Sequence, residues 1–238
     1  MAENKSTVLI DELHSYGVGR LRCIAEIIPS AFSSAYCLDI GCGAGIWNTR
    51  MRGLAEKKGY TYVGVNIAKD QLQSDMEQIR NSKQGDGTYL LGDACALPFA
   101  RRFKLVIALE VIEHLDDQEK LLAEIDGILL EDGYLMISTP NKFSMEGITG
   151  KMKGVLTGRR WNAWDPEHKH VFASPEFLSL VSKRLSIDKV CGYYILPALP
   201  ATLGINKMNS LLRTFHQPLN GLCFQTIVLL RKVNYGRK

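Results

Sequence analysis

Two sets of residues in this chain have types and spacing that could do chemistry. Asp39, Gly41, Gly43 and Gly45 alternate through Cys37-Leu38-Asp39-Ile40-Gly41-Cys42-Gly43-Ala44-Gly45, after an apolar run and before a helical pattern. Glycines there let the backbone turn sharply and come close to a ligand. A helix that starts near Gly45 directs its positive end at the same place. The second set is Glu110-Val111-Ile112-Glu113-His114, with His168 and His170 farther along in Pro166-Glu167-His168-Lys169-His170. Histidine can take a proton from a hydroxyl near neutral pH, so His114 is the first candidate base, and His168 and His170 are the second candidates. Glu113 could orient the base or bind a metal. The spacing of Glu113, His114, His168 and His170 is too loose to define a metal site, and none is assigned.

These residues need strand ends to hold them. Residues 36–40 read as a first strand and 45–57 as a helix. Residues 61–65 form a second strand, 68–81 a helix, and 88–91 a third strand ending in Gly92-Asp93. Residues 104–109 are apolar without a break, as a strand buried on both faces should be. Helix 117–130 and strand 134–138 follow, joined by a turn at Asp132-Gly133. The alternation implies a doubly wound α/β sheet with right-handed crossovers. Ligands of such sheets bind outside the carboxyl ends of the strands. Upstream, residues 5–30 read as helix with a break at Gly17-Val18-Gly19. Downstream, a helix spans 175–184, strands 186–193 and 223–232 close the sheet, and a helix falls near 205–215.

Spacing separates two ligand classes. A dinucleotide-binding turn needs glycine at its first, third and sixth positions. Counted from Gly41, the sixth position is Ile46, a branched residue that spoils close helix–strand packing. The pattern D-x-G-x-G-x-G instead resembles the first motif of the class I S-adenosylmethionine (SAM) methyltransferases, and the resemblance runs in order through residues 36–141. It implies a Rossmann-like, seven-stranded sheet with the last strand antiparallel. It implies that the glycine loop underlies the methionine part of SAM and that Asp93 accepts from the adenine amino group. By the same resemblance Ala94 meets the adenine ring with its backbone, Ile67 packs on that ring, and Glu110 faces the glycine loop. One position departs from the family. The second strand usually ends in an acid that holds both ribose hydroxyls, and here it ends in Asn66, with one acceptor oxygen and no charge. Weaker SAM binding is expected.

A nearer resemblance is to the ubiquinone-biosynthesis O-methyltransferases. It rests on Arg20-Leu21-Arg22-Cys23-Ile24-Ala25-Glu26, on Ser138-Thr139-Pro140-Asn141 with the basic, glycine-containing stretch after it, and on Phe172-Ala173-Ser174-Pro175-Glu176-Phe177-Leu178. It implies that Arg20 pairs with the SAM carboxylate, for which a planar guanidinium is well shaped. It also implies that the stretch after Asn141 helps the protein meet a membrane holding a lipophilic acceptor, and it leaves room for a divalent ion.

Composition bounds the rest. The 238 residues, 46% hydrophobic and 23% charged, suit one methyltransferase domain over residues 1–238 with acceptor-side insertions at about 142–165 and 194–222. No apolar run is long enough to span a membrane, no signal peptide is read at the start, and six cysteines show no zinc spacing. Free thiols and a cytoplasmic protein are expected. From Lys183 onward nine Lys/Arg face one acid, Asp188, while the remainder is net acidic. A basic end suits an anionic surface, so peripheral membrane contact is expected. No nucleic acid is, because no N-P-P-Y-like tetrapeptide follows the fourth strand. The residues therefore point to SAM-dependent methyl transfer onto a small molecule, O-methylation of a lipophilic or aromatic, quinone-like acceptor, with S-adenosylhomocysteine as product. N- or C-methylation of a polar metabolite or sugar, and SAM binding without catalysis, are the rival readings.

Overall fold

The computed structural model describes residues 15–43, 46–70, 73, 88–158, 161–163, 165–193 and 222–233. Its centre is a seven-stranded sheet in the order β3-β2-β1-β4-β5-β7-β6. The strands are β1 (Ala35–Ile40), β2 (Tyr60–Asn66), β3 (Thr88–Leu91), β4 (Phe103–Leu109), β5 (Leu129–Pro140), β6 (Ser186–Tyr193) and β7 (Gln225–Arg231). β1 to β5 run parallel, and β7 lies antiparallel between β5 and β6. This is the expected fold class. The helices are α1 (Ser15–Ile27), α2 (Ile46–Lys57), α3 (Gln118–Ile128), α4 (Met145–Thr157) and α5 (Ser174–Val181).

Strand periodicity explains the two cores. Leu38, Ile40, Val106, Ala108, Leu135, Ile137, Val228 and Leu230 face one way, onto Leu121, Leu122, Ile125 and Ile128 of α3 and Phe177 of α5. Cys37, Leu105, Ile107, Met136, Ile227 and Leu229 face the other, onto Cys23, Ile24 and Ile27 of α1 and Met51 and Ala55 of α2. Alternate side chains point to opposite faces of a strand, so continuous apolar runs become two dry interfaces. No described helix is long and apolar enough to cross a membrane.

The helix starts follow local rules. Asp117 Oδ1 accepts from Lys120 N at 2.9 Å and opens α3, as an N-cap should. Ser144 Oγ accepts from Gly147 N at 2.9 Å and opens α4, which ends at Gly158 in the left-handed region (φ 67°).

Several elements differ from the sequence reading. α1 runs unbroken through Gly17, Val18 and Gly19. Both glycines are buried, and a Cβ on Gly19 would lie 3.6 Å from the Tyr193 ring. Close packing on β6 thus outweighs the penalty of about 1 kcal/mol per helical glycine. β5 is longer than 134–138 and begins directly after α3. The turn at Asp132-Gly133 survives as a bulge, with Asp132 at φ 59° and the register against β4 shifting between Phe103 and Leu105. Four glycines concealed α4 within 142–165. α5 ends at Val181, and β7 begins at Gln225. Of helix 68–81, only residues 68–70 and 73 are described; 69, 70 and 73 are helical, and Ala68 precedes the helix. The helix near 205–215 and most of 194–222 lie outside the described residues, as does Gly45.

Candidate active site

A cavity of about 340 Å³ opens at the carboxyl ends of β1 to β4. Gly41, Asn66, Ile67, Asp93, Ala94, Glu110 and His114 all line it. The first turn after β1 is shaped by backbone. Gly41 and Gly43 sit at φ 67° and 62°, where side-chain-bearing residues are strained. Gly41 N and Cys42 N donate to Val65 O at 2.8 and 3.2 Å, so the loop is tied to the end of β2. A Cβ on Gly41 would fall 2.6 Å from Val111 Cγ2, whereas one on Gly43 meets nothing nearer than Gly41 O at 4.0 Å. The space above Gly43 is open to a ligand.

Asp39 lies one turn below, buried, and accepts from the Tyr62 hydroxyl at 2.7 Å. Burial pushes its carboxyl up to about 7, against the Tyr62 bond and the Arg20 charge, which both favour the ionised form. Arg20 on α1 reaches the same place. Its guanidinium stacks 4.8 Å over the Trp47 ring of α2 and acts electrostatically on Asp39, Glu110 and Glu113.

On the β2 and β3 ends the side chains are locally engaged. Asn66 is buried, and its Oδ1 accepts from Ala68 N at 3.2 Å. Ile67 is 72% exposed over the cavity, the exposure of an apolar surface offered to a ligand. Asp93 Oδ1 accepts from Cys95 N at 2.8 Å, which fixes the turn that carries Ala94.

After β4 the chain makes a strained bend. Glu110 has φ 58°, costly for a residue with a side chain. It is fixed from both ends, since Ser138 Oγ accepts from Glu110 N at 3.2 Å and donates to Glu110 Oε1 at 2.8 Å. Burial raises the Glu110 carboxyl, while Arg20, Ser138 and His168 oppose the rise. A 3-10 turn over Ile112–His114 follows. It buries Glu113 completely, and neither carboxylate oxygen has a hydrogen bond of good geometry. The Thr139 hydroxyl beside it is likewise without such a bond, so its influence is slight. Burial and the neighbouring Glu110 hold the Glu113 carboxyl well above the ordinary range.

The distant histidine of the sequence is brought here. His168 Nε2 lies 4.0 Å from Glu113 Oε1 and 3.9 Å from Asp165 Oδ2, and its Nδ1 lies 2.9 Å from Asn162 O. The His114 and His168 rings meet edge to face at 4.7 Å. Backbone anchors the segment, because Glu113 O accepts from both Lys169 N and His170 N at 3.0 and 3.1 Å. His170 turns away to Glu176 Oε1 at 3.1 Å. Donor atoms of Glu113, His114 and His168 fall within 4.8 Å of one another. Two imidazoles and a buried carboxyl whose oxygens make no hydrogen bond of good geometry are a donor set a divalent cation could use.

Sequence reasoning missed the residues that support the site. Tyr62, Trp47 and the Tyr89–Asn48 pair (2.6 Å), which sits beneath the glycine loop, carry no signal in one sequence. Val111, Leu115 and Glu167 also line the cavity, and each adjoins a residue that was read.

Residues 18–184 match the Methyltransferase domain family, and the chain belongs to it. It is 26% identical over 170 residues to a mitochondrial ubiquinone biosynthesis O-methyltransferase of Arabidopsis thaliana, covering 70% of this chain and 51% of that protein. It is 25% identical over 192 residues to the ubiquinone biosynthesis O-methyltransferase of Pelagibacter ubique, covering 76% and 77%. The chain thus spans about half the length of the first of these relatives. Among solved structures, a SAM-dependent methyltransferase from Thermotoga maritima superposes with a TM-score of 0.66 at 17% identity, over 94% of this chain and 91% of that one. The [4+2]-cyclase SpnF superposes at 0.61 and 14% identity, over 92% and 82%. The fold is that of the SAM-dependent methyltransferases.

Proposed function

We propose that the protein transfers the methyl group of SAM to a hydroxyl oxygen of a small lipophilic or aromatic, quinol-like acceptor. In this reading the loop at Gly41 and Gly43 seats the methionine part, and Arg20 meets its carboxylate. Asn66 faces the ribose. Ile67, Asp93 and Ala94 hold the adenine, and Glu110 closes the cavity near the sulfonium. The sulfonium is already activated, so the protein must align donor and acceptor, exclude water and remove the acceptor's proton. The observation that carries this is the position of His114, which lines the cavity and is braced by His168 with Glu113 behind it. A divalent cation on Glu113, His114 and His168, if one is held, would supply a lowered pKa at a bound hydroxyl.

O-methylation is favoured by the named relatives, and peripheral contact with a membrane by α4. That helix exposes Met152, Val155 and Leu156 at 64, 84 and 87% beside Lys151 and Lys153, a pattern suited to an anionic interface. A SAM-binding protein without catalysis is the second reading, because Asn66 spends an acceptor on Ala68 N. The cyclase neighbour illustrates that a fold does not dictate its reaction.

Labelled SAM with lipid and aqueous fractions of cell extract tests the proposal. Label should enter the lipid fraction, and the protein should sediment with anionic vesicles at low salt. His114→Ala should lower transfer by about 10²-fold or more with S-adenosylhomocysteine affinity unchanged. Transfer undiminished in that variant would remove His114 as base, and no transfer into any fraction would favour the second reading.

A further inference from the structure

Beneath the glycine loop lies a buried polar side chain that the transfer chemistry does not use. Asn48, in the first turn of α2, is 1% exposed. Its Oδ1 accepts from the Tyr89 hydroxyl at 2.6 Å, and its Nδ2 donates to Cys42 O at 3.5 Å. A carbonyl can only accept. The amide therefore has one workable orientation, with its NH2 toward the loop and its oxygen toward Tyr89. Burying an amide is costly unless its polar atoms are engaged, and here both are.

Gly64 makes this reach possible. It is the register partner of Tyr89 across β2 and β3. A Cβ on Gly64 would fall 2.7 and 2.9 Å from carbons of the Tyr89 ring and 3.0 Å from Cys42 Sγ. The bare position lets the ring cross β2 so that its hydroxyl meets α2. β3, β2, α2 and the loop are thereby joined at one buried amide.

The amides of the loop are not all spent. Gly41 N and Cys42 N donate to Val65 O, whereas Gly43 N makes no hydrogen bond among the described residues. The planar trans peptide sets a carbonyl and the following N–H in opposite directions. With Cys42 O turned to Asn48, the Gly43 N–H must point away from the packed layer, and Gly43 has no side chain to cover it.

From this we infer that Asn48, braced by Tyr89, is a positioning residue for the cofactor. It locks the Cys42–Gly43 peptide so that the Gly43 N–H is offered to the carboxylate of the methionine part. The carboxylate is the matching group, because the other polar groups of that part are a sulfonium and an ammonium, which cannot accept. This rests on the reading of the loop as the seat of the methionine part, and the test separates the two.

Calorimetric titration compares S-adenosylhomocysteine with 5′-methylthioadenosine, which keeps the adenosine and the sulfur but lacks the amino-acid end. Asn48→Leu, close in volume, should weaken S-adenosylhomocysteine about tenfold, the worth of one charge-assisted hydrogen bond, and leave 5′-methylthioadenosine unchanged. Tyr89→Phe should act in the same direction by about two- to threefold and add nothing in the Asn48→Leu protein. Should thermal melts show Asn48→Leu unfolded, Tyr89→Phe, which removes only a hydroxyl, carries the same comparison. An equal loss for both ligands, an unchanged affinity for S-adenosylhomocysteine, or a full added effect of Tyr89→Phe in Asn48→Leu overturns the proposal. If the wild type binds neither ligand, the cofactor reading fails and the offer to a carboxylate falls with it. The lock is then judged by the Gly43 amide proton resonance, which should be single in the wild type and doubled or broadened in Asn48→Leu; an unaltered resonance overturns it.

Discussion

The two sides of the site are made differently. The side proposed for the cofactor is main-chain work, with glycines at positive φ, amides tied to Val65 O, and side chains turned to cap their own neighbours, as at Asn66 and Asp93. The side proposed for the acceptor is side-chain work, with an indole against two glycines and a histidine carried in from a distant loop. Backbone geometry suits a ligand that is the same for every member of a fold family. Side chains suit a ligand that changes from one member to the next.

The largest effect that would break this contrast is expected at the glycine loop. Gly41→Val should drive a side chain into Val111 as well as strain the backbone, at about 1–3 kcal/mol for each. Both thermal stability and S-adenosylhomocysteine binding should fall. Gly43→Val meets open space, so it should abolish binding while the fold survives with a loss of about 1–2 kcal/mol. Denaturant melts and calorimetry on the pair decide it; a Gly43→Val protein that binds normally would show that the ligand does not lie over this loop.

A smaller effect is expected across the site. Gly150→Ala should unseat Trp161 at about 1–3 kcal/mol and shift its fluorescence, with S-adenosylhomocysteine affinity retained. If that affinity falls in parallel, the two sides are coupled and the contrast dissolves.

The smallest is at Asn66. Asn66→Leu should weaken binding by about 0.5–1.5 kcal/mol, and Asn66→Asp should preserve or tighten it. Indistinguishable titrations for all three proteins would place the ribose elsewhere.

The same contrast governs what could be read in advance. β1 to β4 and the cavity residues at their ends were legible, because apolar runs with period-two faces and glycine spacing are local signals. His168 was legible only as a histidine; its approach to His114 depends on two main-chain bonds to Glu113 O that leave no mark in the side-chain sequence. α4 was hidden because its glycines read as breakers, although they serve as room for Trp161. The unbroken α1 was hidden because its glycines read as breakers, while burial of the helix against the sheet, which no local signal shows, carries it through them.

The two amides that clasp Glu113 O have one more consequence. A loop fastened through atoms common to every amino acid can exchange its side chains without losing its place. Residues 165–170 are thus a natural cassette, in which Asp165 Oδ1, accepting from Glu167 N at 2.8 Å, and Lys169, paired with Asp116, add to the fastening, so that varying Glu167 alone is a route to new acceptor preferences beside the proposed cofactor cavity.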